Sequence, residues 1–322
     1  MILFALAADA WPWLLQVTNL TDVIQFVLLG FQARLQLRIL IFCLLLVVFW
    51  VTICGNVLII TLVSTSKNLH TPMYFFISQL SISDILLPTD IVPYTLYILL
   101  NNGATITFTG CMTQYFFFCV TELFECLLLT VMSYDRYVAI CNPLRYTTIM
   151  TDGLYLRLVV NSWLASFFTT IIYTLTASRL NFCGPNIMDY FFCDLVPLQE
   201  ISCSDAFPLK LLICLGSIAF VIIPSVIIVI SYGNIVRAIL EIQSNVSRQK
   251  AFSTCSSHLA VVFIFYLTLF SVYIFLTKAQ PDINKILSLL YTVVTPLVNP
   301  IIYSFRNKDI NKAVQEAILK YL

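Results

Sequence analysis

The sequence predicts an all-α membrane protein: a bundle of seven transmembrane helices followed by a short amphipathic eighth helix. Three observations predict it. Of 322 residues, 60% are hydrophobic and 10% charged, against about 25% charged in a soluble domain. Seven apolar stretches each approach the ~20 residues that cross a hydrocarbon core of roughly 30 Å. A charged pair, Asp135-Arg136, closes the third stretch, and charge beside a bilayer is costly enough to mark function.

In chain order, residues 1–38 read as an extracellular tail. Met1–Ala10 is apolar but has no basic residue before it, which a cleaved signal peptide would need. Ile41 to Val63 is 23 residues without a charge and forms the first span. Further spans fall at about 73–97, 111–135, 155–177, 208–236, 256–276 and 286–305. Their prolines and polar residues are tolerated where they face the bundle interior. The membrane domain therefore covers 39–305. In the remaining 306–322, Ile310, Val314, Ala317, Ile318 and Tyr321 recur at helical spacing, with Lys308, Lys312, Glu316 and Lys320 lying largely elsewhere around the helix. That pattern describes a helix lying on the membrane surface.

Orientation follows from the basic residues. With the N-terminus outside, the inner side holds Lys67, Arg136, Arg145, Arg157, Arg237, Arg248, Lys250, Arg306, Lys308, Lys312 and Lys320, 11 of the 17. The positive-inside rule favours that arrangement. The sequon Asn19-Leu20-Thr21 is then available for glycosylation, while Asn245-Val246-Ser247 would be cytoplasmic and silent. A net charge of +1 gives no bulk attraction to nucleic acid. No internal repeat is visible, which counts against a transporter.

Of 11 cysteines, Cys43, Cys54, Cys119, Cys126 and Cys214 fall inside apolar spans and act as small hydrophobes. Cys141 and Cys255 lie near the cytoplasm. Cys111, Cys183, Cys193 and Cys203 remain on the outer side, where three pairings are possible. The only histidines, His70 and His258, are predicted on the cytoplasmic side, so metal binding by these cysteines is the weaker reading.

In the third span, Cys111, Tyr115, Phe118, Glu122, Glu125, Leu129, Met132 and Arg136 form one stripe at alternating spacings of four and three. Leu129 and Met132 read as packing. The two carboxylates must face the interior, since a lipid-facing charge costs roughly 2.5–3.5 kcal/mol. They are either hydrogen-bonded structural groups or oxygen ligands for a hard cation such as sodium, with Asp84 of the second span as a third carboxylate.

These residues match a known pattern. The chain resembles an olfactory receptor, of the rhodopsin-like class of G-protein-coupled receptors. The resemblance rests on Gly55-Asn56, LHTPMYFFISQLSISD (69–84), MSYDRYVAIC (132–141), Ser231-Tyr232, KAFSTCSSHL (250–259) and PLVNPIIYSFRN (296–307). Asp-Arg-Tyr and Asn-Pro-x-x-Tyr alone indicate the wider class. The second, third and fifth blocks, with a long three-cysteine outer loop, are specific to the narrower family.

The resemblance implies disulfides Cys111–Cys193 and Cys183–Cys203, and a sodium site at Asp84 and Glu125. It implies that Asp135 restrains Arg136 at rest, within Asp135-Arg136-Tyr137, and that Tyr232 and Tyr303 rearrange near Arg136 on activation. Asn299-Pro300 would mark a helix irregularity, and the polar segment Arg248 to His258 would face a G protein. The positions matching the family's ligand pocket are Phe118, Cys119, Glu122, Phe220, Tyr266, Leu269, Phe270, Tyr273 and Thr292. No cofactor is implied beyond an allosteric sodium ion. The implied partners are a small odorant, a stimulatory G protein that raises cyclic AMP, and lipid, at the plasma membrane.

The chain departs from the pattern at three points. Phe265-Tyr266 stands where most rhodopsin-like receptors have tryptophan, as olfactory receptors do. Leu267 replaces the glycine that usually follows and would crowd the sixth helix. Glu122 is unusual. It is an ionised counter-ion for an amine, a protonated donor to a neutral oxygenated odorant, or an addition to the ion site one turn away. A receptor of the same family sensing a polar or amine ligand outside the olfactory system is the alternative function. An enzyme is disfavoured: no Ser/His/Asp order, zinc box or phosphate-cradling glycine loop is present, and the paired acids sit on one helix rather than two.

Overall fold

The computed structural model describes residues 25–182, 185–204, 207–275, 281–306 and 308–321. Its main helices are α1 (Leu35–Thr65), α2 (Pro72–Asn101), α3 (Phe108–Cys141), α4 (Asp152–Ala177), α5 (Phe207–Glu241), α6 (Asn245–Phe275), α7 (281–306) and α8 (Lys308–Tyr321). Six are long and apolar enough to cross a membrane, and in α6 the apolar part is the shorter run Cys255–Ser271. Polar residues such as Arg248, Gln249 and Lys250 occupy the start of α6. In their apolar windows α2 and α3 are 67% and 61% buried, against 11% for α1. α1 therefore lies at the edge of the bundle, while α3 runs through the centre and packs on α2, α4, α5 and α6.

The helices overrun their predicted spans because a helix need not stop at the hydrocarbon edge. Leu35–Arg38, read as tail, form the first turn of α1. Arg38 then caps a neighbour: its Nε and Nη2 donate to the Leu99 and Leu100 carbonyls at 2.9 Å each. Those carbonyls end α2, where cations are favoured. Asn102 at φ 56° and Gly103 at φ 118° turn the chain out of the helix.

The tail also supplies a strand that the sequence reading lacked. β1 (Gln25–Leu28) is the centre of a three-stranded sheet, antiparallel to β2 (Ala104–Thr107) and parallel to β3 (Ile187–Met188). Phe26 and Leu28 point inward and are fully buried, the period-two signature of a half-buried strand. The sheet roofs an outer core containing Tyr115, Phe118, Phe191, Phe192 and Tyr291. A separate inner core contains Leu80, Phe124, Leu129, Met132, Tyr232 and Tyr303.

Prolines shape α5 and α7. Each holds a π turn, Ile218–Ile222 and Leu290–Val294, and each turn is followed two residues later by proline, Pro224 or Pro296. Proline has no amide to bond the carbonyl four residues back. That leaves the Phe220 and Thr292 carbonyls without their helical partner, and the turn widens: Ile223 N–H bonds Ile218 O and Thr295 N–H bonds Leu290 O. Pro300 likewise orphans the Pro296 carbonyl. Asn56 Nδ2 of α1 donates to it at 3.2 Å. Gly55 faces the same proline: a Cβ there would make ordinary contact with the Pro300 ring at 3.5 Å. Gly55-Asn56 and Asn299-Pro300, far apart in sequence, are thus one interaction.

α8 buries Ile310 and Ala313 and keeps Lys312 and Glu316 outside, 3.8 Å apart. Tyr74 Oη of α2 donates to Asp309 Oδ2 at 2.9 Å. The side chains of Ala317, Ile318 and Tyr321, and Asn19, lie outside the described residues. Leu267 is 53% exposed and faces away from the bundle, so it does not crowd α6.

Candidate functional site

Where the outer and inner cores meet, the helices leave a cavity of about 160 Å³. An apolar cavity of roughly 150 Å³ accommodates one benzene molecule. α3 lines it with Tyr115, Phe118, Cys119 and Glu122, α4 with Tyr173, and α6 with Leu269. Both π turns border it: Val221 comes from the one in α5, Tyr291 from the one in α7. The outer loop closes it from above with Asp194, Leu195, Val196 and Gln199. These belong to a short helical segment, Leu195–Glu200, and its cap Asp194.

That loop is fastened on two sides. Cys193 is disulfide-bonded to Cys111 of α3, 82 positions away, and its amide donates to Gln114 Oε1 at 2.9 Å. Toward α7, Lys285 Nζ reaches Asp189 Oδ1 at 2.5 Å, and Tyr190 Oη bonds Ser288 Oγ. Cys203 is also disulfide-bonded; Cys183, its expected partner, lies outside the described residues. Asp194 is buried, and its Oδ1 accepts from Leu195 N–H at 2.6 Å. Burial pushes its carboxyl up to about 6, an effect that the Leu195 amide partly offsets.

Of the nine residues expected in a ligand pocket, Phe118, Cys119, Glu122 and Leu269 line this cavity. Phe220, Tyr266, Phe270 and Thr292 do not. Phe270 is 37% exposed on the outside of α6, and Thr292 is buried with its hydroxyl on the Ser288 carbonyl at 2.7 Å. Val221 and Tyr291, which lie in the two π turns, line the cavity, whereas the resemblance pointed to their sequence neighbours Phe220 and Thr292. The Tyr273 side chain lies outside the described residues. The sequence reading missed Asp194 and Tyr173; position 194, next to an outer cysteine, was the available signal.

Below the cavity, Asp84 is fully buried and accepts from Asn299 Nδ2 at 2.9 and 3.1 Å. Glu125 lies within electrostatic reach of Asp84. Glu125 and Ser83 are buried side by side, within hydrogen-bonding reach of each other. Two carboxylates and a hydroxyl form a set of hard oxygens of the kind that fits a small alkali cation. Among the described residues no group of three or more His, Cys, Asp or Glu is placed to hold a metal.

At the inner end of α3, Arg136 Nη2 pairs with Asp135 Oδ2 at 2.5 Å, and its Nε donates to the same oxygen at 2.9 Å. Tyr146, from the following loop, donates to Asp135 Oδ1 at 2.7 Å. Burial and the Asp135 charge push the Tyr146 phenol upward. Tyr137 packs against the inner core. Tyr232 Oη is bonded to His258 Nδ1 at 2.5 Å, with the two rings stacked. His258 is fully buried. It faces the bundle and not the cytoplasm, because α6 turns that position toward α5. Tyr303 is buried, and its hydroxyl has no hydrogen-bond partner among the described residues.

The olfactory receptor family model matches residues 42–321. The chain is 46% identical over 301 residues to olfactory receptor 11L1 of Homo sapiens, covering 93% of this chain and 94% of that protein. It is 42% identical over 303 residues to olfactory receptor 5G9 of Mus musculus, covering 94% and 96%. It is 40% identical over 301 residues to olfactory receptor-like protein OLF1 of Canis lupus familiaris, covering 93% and 97%. The crystal structure of squid rhodopsin has the same fold, with a TM-score of 0.73 at 16% identity over 91% of this chain and 88% of that one.

Proposed function

The chain belongs to the olfactory receptor family, and on that premise we propose that it binds a small odorant in the cavity under Leu195–Glu200 and activates a stimulatory, olfactory-type G protein to raise cyclic AMP. As a family member it is an odorant-sensing G-protein-coupled receptor, not an enzyme.

The observation that carries the reading is the reach of α3. The helix lines the cavity at Phe118 and Glu122 and ends its charged pair at Arg136. Those 18 residues span about 27 Å of helix. A ligand shifts the receptor only if it binds the active arrangement better than the resting one. Val221, Tyr291 and Leu269 line the cavity from α5, α7 and α6, so a ligand touches every helix that must move relative to α3. At the inner end, the Asp135–Arg136–Tyr146 cluster and the Tyr232–His258 bond hold the resting arrangement. Opening frees Arg136, Tyr232 and Tyr303 for the G protein.

Asp84, Glu125 and Ser83 are the residues that would hold a sodium ion, which supplies positive charge to offset paired carboxylates. The basic residues assign the N-terminus to the outside and α8 to the cytoplasmic surface at the plasma membrane.

The test is cyclic AMP accumulation in cells carrying the receptor and a stimulatory G protein, across amines, acids and neutral volatiles. Responses to one or more are expected, and Arg136→Ala at matched surface level should abolish them. A response that survives this substitution would remove Arg136 from the coupling step.

A further inference from the structure

The cavity has an acidic character. Two carboxylates, Glu122 from α3 and Asp194 from the outer loop, line one small space and lie within electrostatic reach of each other. Among the described residues no Lys, Arg or His lines it. Asp194 is 9% exposed and has one of its oxygens on a backbone amide. Glu122 has no hydrogen bond or ion pair among the described residues. The rest of the wall is mostly apolar or aromatic, with Tyr115, Phe118, Tyr173 and Tyr291 contributing rings. An ionised carboxylate on such a wall is costly unless a counter-charge meets it.

We infer that the ligand is a small organic cation, a primary or secondary amine on a single ring or short branched chain, with its ammonium seated between Glu122 and Asp194. The inference rests on the receptor reading above and on three further arguments. An ammonium has several donors, enough for a carboxylate on each side. Tyrosine and phenylalanine faces attract a cation electrostatically. The volume of about 160 Å³ admits one ring with a short substituent. Glu122 lines the cavity and Glu125 does not, although Glu122 also lies within electrostatic reach of Glu125 and Asp84, so the carboxylate that faces the ligand space is Glu122. A neutral ligand with a single hydroxyl donor can meet only one of the two carboxyls and brings no charge to offset either.

The experiment reads binding without a G protein. Full-length receptor in detergent is melted with millimolar benzylamine or cyclohexylamine, with benzyl alcohol or cyclohexanol, and with benzoate. A ligand that binds only the folded state raises the melting temperature in proportion to the logarithm of its affinity. The amines should stabilise the receptor more than their alcohols, and benzoate should not stabilise it. Glu122→Gln and Asp194→Asn should each weaken the amine by roughly 30-fold or more, the effect of removing one partner of a buried charge pair, and spare the alcohols. If Glu122→Gln does not fold, Asp194→Asn, outside the membrane spans, carries the test. Alcohols that match their amines, amines that shift nothing, or variants that both keep full amine affinity would each overturn the cation assignment. An amine shift without a cyclic AMP response would support it and count against the coupling reading alone.

Discussion

Asp194 shows how a single side chain couples stability to recognition. Its carboxyl is raised from an ordinary 3.8 to about 6 by burial. An acid raised on folding stabilises the native state at low pH, and that contribution is lost as pH rises through the folded value. The window here runs from about 4 to about 6, and two units correspond to about 3 kcal/mol. Asp194→Asn should therefore melt higher than the parent at pH 7.4, with the gap closing toward pH 4 in a pH series of thermal unfolding. The same substitution should weaken an amine. A purely structural role would move the first readout and leave the second alone.

Gly216 decides how α4 and α5 meet. A Cβ there would fall 1.4 Å from Tyr173 Oη, well inside contact distance. Tyr173 donates to the Leu212 carbonyl of α5 at 3.2 Å and lines the cavity. Gly216→Ala must swing that ring away, an overpacking that costs about 1–3 kcal/mol. It should lower both the melting temperature and the potency of any cavity ligand by about tenfold, and potency left unchanged would show that Tyr173 makes no ligand contact. The π turns act on the same scale. Pro224 and Pro296 were visible in the sequence, but the loss of an amide does not announce whether the helix kinks or widens. Here it widened, and Val221 and Tyr291 from the two π turns line the cavity.

At the scale of the molecule, two cores stacked along α3 are separated by a layer of carboxylates and one cavity. Acids that face each other inside a bilayer need a compensating cation or a proton. If Asp84, Glu125 and Ser83 hold sodium, the ligand-free receptor should melt higher in sodium chloride than in choline chloride. Asp84→Asn should erase the difference. Equal melting of the parent in the two salts would remove sodium from the account.

Composition and pattern alone determined the helical membrane fold, the order of its spans, the outer cysteines and the charged end of α3. Each follows from a local rule: apolar length against bilayer thickness, spacing on one helix, or the cost of charge in lipid. The motif blocks carried the family in the same way, since they are contiguous in sequence. Only the tertiary structure decided that residues 25–28 complete an outer sheet, that Tyr146 shares Asp135 with Arg136, and that His258 turns inward to Tyr232. It also decided that Asp194 stands across a cavity from Glu122. Those contacts join residues from 11 (Asp135 and Tyr146) to 160 (Val27 and Ile187) positions apart, through loops with no periodicity of their own. A disulfide and helix packing place them, and no local propensity encodes where a loop comes to rest.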